Sequence, residues 1–337
     1  MGGDTTIIST RPALANRFRV LDTLGEGAGS SVYLVSDLEK NGKQVALKVL
    51  VNDEAFDEHT LERFRDEMRV CRDLSHPNII QAYDFIDLGD TIAFSMEYVK
   101  GCDLGSMFYE KKEFTPKEID WIFDQLLSAL EELHKRNIVH RDLKLENVLI
   151  REDGVVKLSD LGLMKDLNSR GMTRAGVLLG TAQYMPPEYI RSSKYDGRGD
   201  LYAVGIMLLE ILTGKRRLVD KPGMEAIEHL IKTKFEIPEL LLTGLPKKYV
   251  SIIRRATQSE PKHRYQSASE MKLDFAKPDE EFSEYGATSM DSNISVKSVA
   301  TRMFGSSTNS KKSPLGLAVR IVAAVFILLV AGALYLR

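Results

Sequence analysis

Short apolar runs separated by turn residues make up the first part of the chain, from Arg17 to Val51. Such runs predict strands, and the Asn41-Gly42 pair between two of them predicts a hairpin turn. A glycine-rich turn interrupts the first run and predicts a second hairpin. Between His59 and Leu74 the apolar residues recur at helical spacing. The N-terminal part is therefore predicted to combine a layer of strands with one helix.

The middle of the chain is predicted to be mainly helical. Thr115 to Glu118 form a capping box with proline at the first helical position, and a helix with one apolar face follows. That face consists of Ile119, Ile122, Phe123, Leu126, Leu130 and Leu133. The Asp153-Gly154 pair predicts a hairpin. From Asp200 to Leu212 the chain is apolar nearly all round and stops at Gly214, which indicates a buried helix.

The last part of the chain has a different composition. Residues 276–314 are rich in serine and threonine and poor in large apolar residues, which predicts a flexible linker. Leu315 to Leu336 then gives about 20 mainly apolar residues, enough to span a bilayer. Arg320 is the one charge within that run and can reach the interface. Residues 315–337 are therefore predicted to be a transmembrane helix, with a buried globular helix as the competing interpretation.

Composition narrows the classes of partner. The chain has 337 residues and a net charge of -2, so it has no global bias toward nucleic acid. Its two cysteines, Cys71 and Cys102, have no metal-ligand spacing and indicate a reducing compartment. Residues 1–16 are interpreted as an N-terminal tail and lack the apolar core of a secretory signal. Gly2 with Thr6 satisfies a loose N-myristoylation pattern, which leaves lipidation open.

The clearest chemical signal is the segment from Val139 to Ile150, VHRDLKLENVLI. It places three polar groups in a short loop between two apolar runs. Asp142 can orient a hydroxyl, Lys144 can stabilise phosphate charge, and the amide oxygen of Asn147 can bind Mg²⁺. A charged surface turn after a helix is the alternative. Phosphoryl transfer is the chemistry that this spacing predicts.

The segment resembles the catalytic loop of protein kinases position for position. The resemblance implies the α+β, bilobal protein kinase fold, with a β-rich N-lobe over 17–99 and a helical C-lobe over 100–275. It is similar to the eukaryotic-like, Hanks-type serine/threonine kinases, and the combination of Lys144 with Thr181 is expected of that class. Such an enzyme transfers the γ-phosphate of ATP to protein hydroxyls with Mg²⁺ as cofactor.

A nucleotide site follows from the resemblance. The segment from Leu24 to Val35 resembles the loop that covers the phosphates, although Ser30 stands at its third glycine position. Lys48 would hold the α- and β-phosphates and pair with Glu67. Met96 would be the gatekeeper, before a hinge whose backbone faces adenine. The implied ATP-binding residues are Leu24, Gly25, Glu26, Gly27, Ala28, Gly29, Ser30, Ser31, Val32, Ala46, Lys48, Glu67, Glu97, Val99, Asp103 and Leu149.

The implied metal ligands are Asn147 and Asp160. The family usually has Asp-Phe-Gly where this chain has Asp160, Leu161 and glycine. Phenylalanine there contributes packing rather than chemistry, so leucine leaves metal binding intact and can alter switching between active and inactive forms. The implied catalytic residues are Asp142, Lys144 and Asn147.

The segment between Asp160 and Glu188 resembles an activation segment. Thr173 is the first candidate phosphate acceptor and Ser169 the second. Arg141, beside the catalytic aspartate, is a cation that such a phosphate could neutralise. Thr181 and Glu188 belong to the same segment.

Two further contacts are implied by the family motifs. Asp200 would tie the buried helix to the catalytic loop. Arg264 would pair with Glu188 and hold the end of the activation segment. Both are interpreted as structural rather than chemical.

These observations predict a membrane-anchored serine/threonine protein kinase that acts on protein substrates and phosphorylates itself. Lys311, Lys312 and Arg320 precede the apolar run, so the positive-inside rule places the kinase in the cytoplasm. Dimerisation is left open. The alternative is a membrane-bound pseudokinase scaffold, which Ser30 and Leu161 support.

Overall fold

The computed structural model describes residues 8–27, 30–51, 62, 65, 68–88, 91–160, 182–218 and 223–279. Several sequence predictions fall outside these residues and stay predictions. They concern Ala28, Gly29, Glu67, Leu161, Ser169, Thr173, Thr181 and the apolar segment 315–337.

Five antiparallel strands form the sheet of the N-terminal lobe, in the order β1-β2-β3-β5-β4. They are β1 (Phe18–Gly27), β2 (Ser30–Asp37), β3 (Lys43–Val51), β4 (Ala82–Asp87) and β5 (Thr91–Glu97). Both predicted hairpins are present, since β2 pairs with β1 and with β3. Asn41 and Gly42 have φ values of 54° and 76° in the second turn, angles that asparagine and glycine tolerate. The predicted strand-rich layer is confirmed.

The two faces of this sheet have different neighbours. The core-facing residues of β2 and β3 are at most 1% exposed and are Tyr33, Val35, Val45, Leu47 and Val49. Ala46 and Lys48 alternate with them and therefore point to the opposite face. Lys48 stands opposite Val32 in the strand register, so these two side chains share that face. This confirms that Ala46 and Lys48 lie on one face of the strand.

A short segment before the first strand also belongs to the N-lobe core. Ile8 and Leu14 are 2% and 0% exposed and pack with Phe18 in the same hydrophobic cluster. Leu14 lies in the four-residue helix α1 (Pro12–Ala15). Residues 1–16 were predicted to be a tail, but the described part of that segment contributes to the lobe.

Shortening Leu14 to alanine should lower the free energy of unfolding by about 2–5 kcal/mol, because the change leaves a cavity in a packed core. Leu21→Ala is the matched control, since Leu21 of β1 is 45% exposed and its truncation should change stability by less than about 1 kcal/mol. Urea unfolding of both variants measures the difference. Equal losses would show that the N-terminal segment does not pack on the lobe.

Helices dominate the C-terminal lobe. They are α2 (Leu104–Tyr109), α3 (Pro116–Lys135), α4 (Pro187–Ser192), α5 (Gly197–Thr213), α6 (Gly223–Lys232), α7 (Glu239–Leu242), α8 (Lys247–Ala256) and α9 (Ala268–Ala276). The capping box at the start of α3 is confirmed, since Thr115 and Glu118 bond reciprocally. The six predicted apolar residues of α3 are at most 2% exposed.

Helix α5 lies at the centre of this lobe. Its residues from Gly199 to Glu210 are all buried, and Gly214 ends the helix with a φ of 63°. Gly205 faces Ala256 of α8, where an added Cβ would lie 2.7 Å from the alanine methyl. The glycine therefore lets α5 and α8 pack closely. Within the residues described, no helix combines the length and the apolar composition needed to cross a bilayer.

A small sheet carries the catalytic loop of the sequence analysis. Its strands are β6 (Gly101–Asp103), β7 (Val148–Arg151) and β8 (Val156–Leu158), in that order. The predicted hairpin at Gly154 joins β7 to β8. Residues 136–147 run from α3 to β7, so one end of the loop is held by the main helix and the other by this sheet.

Candidate active site

The backbone of the catalytic loop is held by one buried carboxylate. Asp200 of α5 is 0% exposed and accepts backbone N–H bonds from His140 (2.9 Å) and Arg141 (3.0 Å). The Tyr195 hydroxyl donates to it at 3.1 Å, and Nε2 of His134 lies 2.8 Å away. Arg141 has a φ of 62°, a strained angle for a side chain of its size. The predicted contact of Asp200 with the loop is confirmed.

The histidine of the loop is a structural residue. His140 is 0% exposed, and its Nε2 lies 2.9 Å from the carbonyl oxygen of Ser159. Burial lowers the pKa of His140 below its usual value, although Asp200 and Asp142 act in the opposite direction. The neutral ring can therefore donate to the carbonyl that immediately precedes Asp160. It links the catalytic loop to the end of β8.

Two of the predicted catalytic residues, Lys144 and Asn147, contact the third, Asp142. The side-chain amide of Asn147 donates to the backbone carbonyl oxygen of Asp142 (2.7 Å) and to Oδ2 of Asp142 (3.3 Å). Nζ of Lys144 lies 3.7 Å from the same Oδ2. The Asn147 amide nitrogen is thus committed within the loop, which leaves its carbonyl oxygen as the atom suited to a metal ion.

A contact between the lobes completes this constellation. Nζ of Lys48 in β3 donates to Oδ1 of Asp160 at 2.6 Å. Asp160 follows β8 with a φ of 52° and a side chain that is 38% exposed. The predicted partner of Lys48, Glu67, lies outside the described residues. Ser159, which precedes Asp160, donates its backbone N–H to the Asn147 carbonyl oxygen at 2.9 Å, so the pair of Lys48 and Asp160 lies beside the catalytic loop.

The hinge between the lobes has a second ion pair. Glu97 at the end of β5 accepts from Nζ of Lys157 in β8 at 2.8 Å, and Arg151 lies 3.8 Å away. The backbone N–H of Glu97 donates to the Gln81 carbonyl oxygen at 2.8 Å. The sequence analysis did not find this contact. A lysine within an otherwise apolar strand is the signal that could have revealed it, because such a charge needs a partner.

The described nucleotide-site residues lie on the strands around this cleft. They are Leu24, Gly25, Glu26 and Gly27 of β1, Ser30, Ser31 and Val32 of β2, Ala46 and Lys48 of β3, Glu97 of β5, Val99 after it, Asp103 of β6 and Leu149 of β7. Gly25 has open space where a Cβ would point, as close approach of a ligand requires. Their roles in binding stay predictions.

Asp103 has a local role that the sequence analysis did not include. Its Oδ1 and Oδ2 accept from the backbone N–H and the hydroxyl of Ser106, both at 2.7 Å. The carboxylate thus caps α2. A ribose hydroxyl, the predicted ligand of Asp103, would have to share these oxygens with Ser106.

The residues present fit a divalent metal ion. Asp160 and Asn147 offer a carboxylate and an amide oxygen, the hard ligands that Mg²⁺ prefers. No group of three or more His, Cys, Asp or Glu side chains in the described ranges could hold a metal ion by itself. Phosphate oxygens and water would therefore have to complete the coordination, as is usual for Mg²⁺ at nucleotide sites.

The far side of the site is anchored by a buried ion pair. Arg264 is 1% exposed and forms two parallel bonds with Glu188, from Nη1 to Oε1 (2.8 Å) and from Nη2 to Oε2 (2.7 Å). Glu188 lies in α4, which Met185 and Pro186 separate from the 3₁₀ turn Ala182–Tyr184. The predicted pairing is confirmed. It ties α4, at the end of the predicted activation segment, to the segment after α8.

A buried cluster that the sequence did not reveal lies beside the catalytic loop. Glu210 of α5 is 0% exposed and contacts Arg216 and the Tyr184 hydroxyl. Burial raises the pKa of Glu210 to about 7, while Arg216 acts in the opposite direction. A carboxylate inside a run as apolar as α5 is a signal that could have located the cluster, because a buried charge requires a partner.

Comparison with known proteins agrees with this geometry. Residues 18–276 match the family model described as protein kinase domain. The serine/threonine-protein kinase PrkC of Bacillus subtilis is 34% identical over 264 residues, which are 77% of this chain and 40% of PrkC. PknB of Mycobacterium leprae is 33% identical over 273 residues, 79% and 44% of the two chains. PknL of Mycobacterium tuberculosis is 32% identical over 261 residues, 77% and 65%.

The matched part of this chain thus spans about two fifths of the length of PrkC and of PknB. The family model, by contrast, covers both lobes and every site residue described above. Together with the contacts around Asp142 and Asp160, this match shows that the chain belongs to the protein kinase family.

Proposed function

We propose that this chain is an ATP-dependent serine/threonine protein kinase anchored in a membrane by its C-terminal apolar segment. The observation that carries the catalytic part is the 2.6 Å contact between Lys48 and Asp160. It brings a cation of the N-lobe to a C-lobe site that already contains Asp142 and Asn147. A nucleotide phosphate chain, a metal ion and a protein hydroxyl would all find partners there.

The residues of the chain have distinct tasks in this mechanism. Asp142 accepts a hydrogen bond from the incoming hydroxyl and orients its oxygen toward the γ-phosphorus. Lys48 and Lys144 would stabilise negative charge on the phosphate oxygens. Asn147 and Asp160 would hold Mg²⁺, which when bound supplies positive charge to the phosphates. Catalysis would rest on positioning and electrostatics, for which the Asp200 contacts keep the loop rigid.

The serine/threonine class is supported by two observations. Lys144 stands two residues after Asp142, and Thr181 lies near the end of the activation segment, the combination expected of this class. PrkC, PknB and PknL are named serine/threonine-protein kinases. We also propose that the enzyme phosphorylates its own activation segment, with Thr173 as the first acceptor and Ser169 as the second.

Membrane anchoring is supported by the sequence pattern. Leu315 to Leu336 provides about 20 mainly apolar residues, the length of one span. Lys311 and Lys312 precede it and, with Arg320, favour a cytoplasmic location for the N-terminal side. The kinase domain would then have access to ATP and to protein substrates in the cytoplasm.

Fractionation tests the anchor. After alkaline carbonate extraction the full chain should remain in the membrane pellet, because a spanning helix is not released by loss of ionic contacts. Protease added from the cytoplasmic side should digest the kinase domain. The matched control is a chain truncated before Ser313, which should be soluble and keep its phosphotransfer activity. A full chain released by carbonate, or a kinase domain protected from cytoplasmic protease, would contradict the proposal.

A further inference from the structure

One arginine connects four elements around the catalytic loop. Arg216 follows α5, and its side chain is 9% exposed. Its guanidinium contacts four side chains, namely Oε1 of Glu146 (2.6 Å), Oε2 of Glu210 (3.1 Å), the hydroxyl of Tyr109 (3.3 Å) and the hydroxyl of Tyr184. It also lies over the rings of Phe108 (4.9 Å) and Tyr109 (5.1 Å). We call this group the Arg216 cluster.

The cluster adjoins the catalytic centre. Glu146 directly precedes Asn147, whose amide bonds Asp142. Tyr184 also lines a small recess together with Arg141 and Leu143 of the catalytic loop. Because Glu146 and Asp142 lie on the same short loop, a substrate segment whose hydroxyl reaches Asp142 would pass close to the Arg216 cluster.

The outer part of the cluster is accessible. The side chain of Glu146 is 39% exposed and Tyr109 is 67% exposed, whereas Glu210 and Tyr184 lie beneath them. The carboxylates and hydroxyls converge on one point from different elements. Without the guanidinium, that point would be lined by the carboxyl groups of Glu146 and Glu210, two hydroxyls and two aromatic rings. Such a lining is complementary to an arginine or lysine side chain.

We propose that Arg216 determines substrate specificity by filling this acidic subsite, so that a basic side chain of the protein substrate cannot bind there. The inference rests on the proposed kinase function and goes beyond it. The wild-type enzyme should then gain little from an arginine next to the acceptor residue. Removal of the guanidinium should open the subsite and create a preference for basic substrates.

The test compares the full chain with its Arg216→Ala variant on synthetic peptides. Each peptide has one threonine acceptor in a neutral background and a single arginine at one of the neighbouring positions on either side. In the variant, kcat/KM for the best arginine peptide over the neutral peptide should rise by about tenfold or more, as a buried charged hydrogen bond permits. The same ratio in the wild type should stay near one.

Two further variants distinguish a change in substrate specificity from a general effect of substitution on the enzyme. Arg217 is the neighbouring arginine, but its side chain bonds the Tyr202 hydroxyl (2.9 Å) and the Phe235 carbonyl oxygen (2.8 Å) instead of the carboxylates. Arg217→Ala should therefore leave the peptide preference unchanged. In Arg216→Ala/Glu146→Gln the gained preference should fall, since one carboxylate of the opened subsite is then neutral.

The outcomes distinguish the inference from the proposed function. If Arg216→Ala transfers phosphate but shows the wild-type preference, the inference is wrong and the kinase assignment stands. If the wild type transfers phosphate to no peptide or protein, both fail. Arg216→Met, which keeps an apolar stem against Phe108, replaces the alanine variant if that variant does not fold. A strong wild-type preference for arginine peptides that Glu146→Gln abolishes would also overturn the inference, and this measurement needs no change at Arg216.

Discussion

Asp142→Asn should reduce phosphate transfer by about 10²–10⁴-fold, because the amide cannot act as the carboxylate that orients and accepts the proton of the hydroxyl. Nucleotide binding should be nearly unchanged. Lys48 pairs with Asp160 and the hinge residue Glu97 with Lys157, and the bond from Asn147 to the Asp142 carbonyl oxygen uses the backbone. The loop should therefore keep its shape in the variant. Transfer of labelled phosphate from Mg-ATP to a generic protein substrate measures the first effect, and calorimetry with ATP measures the second.

Asp153→Asn is the matched control for this prediction. Asp153 lies in the β7–β8 turn with a side chain that is 55% exposed, and it contacts Arg151. The same chemical change there should leave transfer intact. Mass spectrometry of the activation segment supplies an independent readout, since Thr173 and Ser169 should carry no phosphate in the Asp142 variant. Equal phosphate incorporation by this variant and the wild type would refute the catalytic assignment and favour a pseudokinase scaffold.

Local patterns were sufficient to predict much of the fold. The hairpin at Asn41-Gly42, the capping box at Thr115 and the stop at Gly214 each depend on the conformational preference of a few neighbouring residues. Such preferences can be predicted from the sequence because they act within one or two turns of the backbone. The catalytic loop was predictable for a related reason, since its chemistry is concentrated between Asp142 and Asn147.

Contacts between distant segments were not predictable from local patterns. The meeting of Lys48 with Asp160 depends on how the lobes pack, and the sequence analysis assigned Lys48 to another carboxylate. The Arg216 cluster joins residues from four elements, so no single stretch of sequence contains it. The packing of Leu14 on the N-lobe was missed because one leucine in a four-residue helix gives no periodic signal.

The pairing of Arg264 with Glu188 is a different case, because family motifs predicted it. The structure adds the burial of the Arg264 side chain and its further hydrogen bonds. The Arg264 side chain is 0% exposed. Besides its two bonds to Glu188 it donates to three carbonyl oxygens, those of Gln258 (2.7 Å), Ser259 (3.1 Å) and Arg198 (3.3 Å). The guanidinium thus ties α4 to the start of α5 and to the segment after α8.

Arg264→Met should lower the free energy of unfolding by about 3–5 kcal/mol, because Glu188 and the three carbonyl oxygens lose their partner in a region closed to water. The free energy of unfolding of Arg264→Lys should lie between those of the wild type and of Arg264→Met, since an ammonium cannot reproduce the forked geometry of the guanidinium. The KM for protein substrate should rise as well, because Glu188 holds the end of the activation segment. Urea unfolding and initial-rate kinetics measure these effects.

Arg254→Met is the matched control, since Arg254 pairs with Glu239 at 2.6 Å while their side chains are 55% and 75% exposed. An exposed pair contributes about 0–1 kcal/mol, so this variant should be close to the wild type. A double-mutant cycle of Arg264→Met with Glu188→Gln isolates the pair itself, and the double variant should lose less stability than the sum of the single variants. Additive losses would mean that Arg264 acts through its carbonyl contacts alone. In that case the end of the activation segment would be held by packing around α4, and the KM of the Glu188→Gln variant should match that of the wild type.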